Sequence, residues 1–146
     1  MAAAKKIKPL VLDVAAVVED FYEDCSLIGL HMEGDVFQNV WRLNQIFSLN
    51  LQRNTYFSAS TEFKFDLYQY HDRINSLSHA VYSNRKFGHT LAPQYRGLEL
   101  LWLIQGNDNA YYFIENIRKV ARVGTHILSM KEIDLDTFEH KGALLF

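Results

Sequence analysis

Apolar residues run almost unbroken through Leu98, Leu100, Leu101, Trp102, Leu103 and Ile104, give way to a polar break at 105–109, and return at helical spacing from Ala110 onward. A run of that length suits a strand buried on both faces, and the break suits a helix cap. The stretch therefore predicts a central strand feeding a helix that packs back onto the sheet. The helix begins near Asp108, puts Ala110, Phe113, Ile114, Ile117, Val120 and Ala121 on one side, and has Gly124 where a left-handed terminating residue belongs.

Upstream, residues 25–32 read as a strand with Ile28, Leu30 and Met32 on one face, while Gly29 on the other leaves room for a close backbone approach. Asp35 with Gln38 three positions on is a capping signature, and Val36, Val40, Leu43 and Phe47 form a stripe for a helix ending near Asn50. Residues 52–60 are polar and read as a loop. Residues 62–70 alternate, with Phe63, Phe65 and Leu67 against Glu62, Lys64 and Asp66, so they predict a half-buried strand. A turn through His71, Asp72, Arg73 and Asn75 joins it to a second strand over 77–84, making an antiparallel hairpin. Residues 85–96 read as a loop and 125–130 as the last strand.

The expected order is β-α-β-β-β-α-β: an α+β fold of ferredoxin-like character, with two helices on one face of an antiparallel-rich sheet. Residues 1–22 read as an N-terminal arm whose apolar part, 10–22, fits a short helix or an extended segment. Residues 23–146 read as a single domain. Its tail, with Ile133, Leu135, Phe138 and the final Leu144-Leu145-Phe146, is expected to dock.

Composition narrows the functional classes. A length of 146 residues, 49% hydrophobic and 22% charged, suits one globular domain rather than a disordered chain. The formal charge of −2 gives no net field toward nucleic acid or anionic lipid. Cys25 is the one cysteine, so no internal disulfide or cysteine-rich zinc site is available. Lys5, Lys6 and Lys8 ahead of an apolar segment imitate a secretory leader, but Asp13 interrupts it, and no run reaches the roughly 20 apolar residues of a membrane span. A cytoplasmic protein is expected.

Several stretches are similar to the IPExxxVDY family of small Bacteroidetes proteins: Leu27-Ile28-Gly29-Leu30 before an acidic turn, Leu43-Asn44, Tyr82-Ser83-Asn84, and the closing Leu144-Leu145-Phe146. The naming motif falls on 104–112. Ile104 and Tyr112 keep its ends, while Gln105, Gly106, Ala110 and Tyr111 stand in place of its proline, glutamate, valine and aspartate. The chain thus resembles a divergent member. The resemblance implies a cytoplasmic bacterial protein and carries no catalytic residue or cofactor across.

Candidate chemistry is sparse. No nucleotide-binding, nucleophile-elbow or dinucleotide motif is present, and none of the six histidines form an i, i+4 metal pair. His71, Asp72 and His79 around the hairpin turn could supply zinc ligands or be solvated turn residues. Cys25 reads as a buried, inert thiol. Arg118, Lys119 and Arg122 could bind phosphate or RNA, or form a solvated face with Glu115 paired to Lys119. If Phe63, Phe65 and Leu67 face the helices, then Tyr68, Tyr70 and Tyr82 face away. Leu101 and Leu103 then oppose Leu98, Leu100, Trp102 and Ile104 across the central strand, and one apolar face needs a cover. The expectation is a non-enzymatic module without cofactor or metal, pairing with itself or a protein partner through its sheet face or edge. Its contact residues would be drawn from Tyr68, Tyr70, Tyr82, Trp102, Arg118 and Arg122. The alternative is an RNA- or small-ligand-binding domain using the tyrosines and the basic helix.

Overall fold

The computed structural model describes residues 24–57, 64–86, 89–106, 108–124 and 126–135. The proposed arm at 1–22 and the tail beyond 135 lie outside these residues. The chain runs β1 (Cys25–Met32), α1 (Val36–Phe47), β2 (Gln52–Phe57), β3 (Lys64–Asp72), β4 (Leu77–Ser83), the two-residue strands β5 (Arg85–Lys86) and β6 (His89–Thr90), a 3-10 turn (Pro93–Tyr95), β7 (Leu100–Gln105), α2 (Asp108–Val123) and β8 (Ile127–Ile133).

The main sheet has the order β2-β3-β4-β7-β1-β8, with antiparallel pairing throughout. β7 lies inside it, between β4 and β1, and Leu100 to Ile104 are buried. Its two faces feed two clusters. Leu100, Trp102 and Ile104 join Ile28, Leu30 and Met32 of β1 beneath Val40, Leu43 and Phe47 of α1 and Ala110, Ile114 and Ile117 of α2. Leu101 and Leu103 join Leu27, Phe65, Leu67, Ala80 and Tyr82 on the opposite face. Both helices thus lie on one face, and the α+β class is as the sequence indicates.

The capping signals act as read. Asp35 accepts the Gln38 N–H at 2.8 Å at the start of α1, and Gly124 follows α2 at φ +75°. The end of α1 differs, because Ser48 takes the left-handed conformation at φ 55° and the chain leaves the helix two residues early.

The element order needs correction, since 52–57 form an edge strand and not a loop. β2 pairs with β3 from Gln52↔Gln69 to Phe57↔Lys64, making the sheet one strand longer than β-α-β-β-β-α-β. Its polar sequence hid it because cross-strand polar pairs replace apolar alternation: Arg53 Nη2 meets Asp66 Oδ1 at 3.0 Å and Asn54 Nδ2 donates to Gln69 Oε1 at 2.9 Å. The region 85–96 is likewise more ordered than a loop, with β5 and β6 paired through Arg85↔Thr90.

The second face is covered by the chain itself. Leu91, Ala92, Tyr95, Leu98 and Leu135 pack on it, and Tyr82, Leu101 and Phe65 have no solvent exposure. Asn84, fully buried, organises this cover: its Nδ2 donates to the carbonyls of Tyr95 and Leu98, and its Oδ1 accepts from Ala92 N, each at 2.8 Å. Leu98 therefore lies with Leu101 and Leu103, not with Leu100 and Trp102 as its parity suggested, because it precedes the strand. Gly29 makes room for it: a Cβ there would sit 2.1 Å from Leu98 Cδ1.

Candidate functional site

The strand register splits the aromatic set that the sequence grouped together. Leu67 pairs with Tyr82 and Tyr70 with His79, so Tyr82 shares a face with Phe65 and Leu67, while Tyr68 and Tyr70 turn to the helices. The expected orientation of Phe65 and Leu67 toward the helices is thus reversed, and the expected open face with Tyr68, Tyr70 and Tyr82 is not formed. Tyr82 and Trp102 are wholly inside and Tyr68 nearly so, which removes all three as surface contacts. Burial, with the nearby Asp66 carboxylate, also raises the pKa of the Tyr68 phenol.

Trp102 instead centres an aromatic knot under the helices. Its ring lies 5.7 Å from Phe47, 5.6 Å from Phe113 and 5.7 Å from His79. Trp102 Nε1 donates to His79 Nδ1 at 3.1 Å, so the neutral imidazole carries its proton on Nε2. That Nε2 is buried without a hydrogen-bond partner, the ring stacks on Tyr70 at 6.1 Å, and burial lowers the His79 pKa to about 4 against a small opposing pull from Asp72.

His71 lies on the other face from His79, with Nδ1 2.8 Å from Ser78 Oγ. Asp72 caps its own turn by accepting from Ile74 N, Asn75 N and Asn75 Nδ2. These contacts, Asn75 Nδ2 foremost, hold the Asp72 carboxyl below its ordinary pKa. The three hairpin residues considered as zinc ligands therefore do not converge, and no group of three or more His, Cys, Asp or Glu fit to hold a metal occurs among the described residues. Nor does the His71–Ser78 pair gain an orienting carboxylate from Asp72. The Cys25 thiol is pushed up to about 11 by burial and by Asp24, which suppresses the nucleophilic thiolate.

On α2, Arg118 is tied between Glu115 and Glu132 of β8. Glu115 thus pairs with Arg118, one residue short of Lys119, the partner its spacing suggested. Arg122 is exposed beside a shallow cleft lined by Arg118, Ala121, Ser129 and Met130. At the far end of the sheet Glu99 accepts from Arg85 Nη2 at 2.6 Å and lies 2.7 Å from His31 Nδ1.

What the sequence reading passed over is the outer ridge of α1. Phe37 is 70% exposed and Trp41, one turn on, 58%. They stand one position off the inward-facing Val36-Val40-Leu43-Phe47 stripe, so their i, i+4 spacing was a signal available in the sequence. Among the described residues no helix is long and apolar enough to cross a membrane. Compared with models of known protein families and with curated proteins, the chain matches none.

Proposed function

We propose that the chain is a non-enzymatic interaction module that pairs with a second copy of itself, the contact being the α1 ridge and not the sheet face. The observation carrying this reading is the exposed Phe37 and Trp41 pair. Large aromatics are the side chains that dominate interface energetics. Exposed Gln38 and Gln45 flank them, and the guanidinium of Arg42 beside them is held by the Glu33 carbonyl and Asn39 Oδ1. With both faces of β7 covered within the chain, an exposed helix ridge is the better-supported contact. In this reading the chain works in a reducing compartment, the bacterial cytoplasm that its IPExxxVDY resemblance implies.

The nucleic-acid alternative has less support, because Arg118 is engaged by two carboxylates and Tyr82 is buried. Sedimentation velocity over rising concentration tests the leading reading. The wild type should sediment as a reversible dimer, and Trp41→Ala should remain monomeric. A wild type that stays monomeric at millimolar concentration overturns it.

A further inference from the structure

Across the second face, at the end of the sheet nearest the β3–β4 turn, three neighbouring strands set six side chains in two rows. Gln69, Ala80 and Leu103 are successive Cα partners on β3, β4 and β7, and His71, Ser78 and Gln105 are the next such row. The middle strand contributes the two smallest residues, Ala80 and Ser78, between longer side chains on either side. A trough down β4 results, and the six residues together with Tyr70 and His79 line a cavity of about 370 Å³. That volume lies at the lower end of the range of roughly 300–1,000 Å³ typical of small-molecule sites.

We propose that this trough is a binding site for an uncharged, planar, amide-like or heterocyclic small molecule, a ligand class independent of the α1 contact. Ala80 and Leu103, almost fully buried, close the bottom of the trough with apolar atoms. Among the described residues the rim is polar but carries no carboxylate, ammonium or guanidinium group, so an anionic or cationic ligand would find no counter-charge from them. What the rim offers is amide and hydroxyl edges, able to donate and accept side by side. The Gln69 Oε1 accepts from Asn54 Nδ2, which fixes that amide and directs its own NH₂ to other partners. The half-buried Gln105 amide has no side-chain partner among the described residues, so its donor and acceptor are both open to a ligand. Ser78 and His71 orient each other through their 2.8 Å contact, leaving His71 Nε2 as a further polar edge. Discrimination here comes from the neutral rim: an analogue of the same shape bearing a charge should be rejected.

The test is titration of the full ¹⁵N-labelled chain with nicotinamide, adenine and uracil as neutral planar probes, and with nicotinate as the charged isostere of nicotinamide. At least one neutral probe should shift the backbone amides of Ala80, Leu103 and Gln105 saturably, with nicotinate at least tenfold weaker than nicotinamide. Gln105→Leu, which keeps the floor, should weaken that binding about five- to tenfold, the worth of one or two hydrogen bonds. Ala80→Leu, which fills the trough, should abolish it, and where that variant does not fold, Gln105→Leu carries the comparison. Absence of saturable shifts with all three neutral probes overturns the proposal, as does equal binding of nicotinamide and nicotinate.

Discussion

The side chain of Asn84 holds the backbone of Leu98, its Nδ2 donating to that carbonyl at 2.8 Å from a fully buried position fourteen residues away. The same amide nitrogen bonds Tyr95 O, its Oδ1 takes the Ala92 N–H, and the Asn84 carbonyl accepts from Leu91 N at 2.7 Å. One residue thus satisfies a strap that would otherwise place unpaired peptide groups over an apolar face. Asn84→Ala should cost about 2–4 kcal/mol in urea unfolding, as expected for several buried groups left unpaired. Asn84→Asp, with a carboxylate facing two carbonyls, should cost at least as much at pH 7 and recover partly at low pH.

Gly29 and Leu98 form the second fastening of the strap. Gly29→Ala forces a methyl into the space of Leu98 Cδ1 and should destabilise by about 1–3 kcal/mol, the usual range for overpacking. Leu98→Ala alone should also destabilise. The two together should cost less than their sum, because the shortened side chain frees the room that the new methyl needs. Additive costs in a denaturation series would show that the two residues do not share that space.

His79 gives the fold a pH dependence of definite sign. Its pKa is about 4 when folded, against an ordinary 6.5, so between those values the unfolded chain binds the extra proton. Stability from this residue is complete above pH 6.5 and falls as pH drops toward 4, by at most about 3 kcal/mol. Chemical denaturation across that window should show the decline, and His79→Gln should flatten it. An imidazole NMR titration with a midpoint near 6.5 would contradict the assignment.

Cys25 should be slow to react. With its pKa raised to about 11, little thiolate exists at neutral pH, so disulfide-exchange reagents should label the native chain far more slowly than the urea-unfolded one. Equal rates in the two states would show that the thiol is not held as described.

The two tryptophans should separate by environment, since Trp41 is mostly exposed and Trp102 wholly buried. At concentrations low enough for the chain to be monomeric, acrylamide should quench one class of emission readily and leave the other protected, and Trp41→Ala should remove the accessible class with a change in monomer stability within about 0.5 kcal/mol.

Local signals were legible where one residue decides the outcome. Asp35 reads as a cap because its carboxylate has one nearby use, Gly124 as a terminator because it tolerates positive φ, and the run through Trp102 as an interior strand because both parities are apolar. What escaped depended on partners distant in sequence. β2 is polar because it sits at the sheet margin and meets β3 through Arg53 and Asn54. The facing of Tyr82 follows from its register with Leu67, and a slip of one residue would have turned it over. The trough at Ala80 and Ser78 is likewise a product of register, since neither residue is notable until Gln69 and Leu103 stand beside it.

The place of β1 in the sheet has a bearing on how the molecule is made. Its neighbours on either side are β7 and β8, so Leu27 finds Leu103 and Ile133, both supplied by the distal part of the chain. Made before β7 and β8, Leu27 to Met32 must wait with both edges open until some seventy residues have followed. Loop closure over such separations makes for slow folding, and the nascent chain should profit from anything that shields that greasy ribbon in the interval.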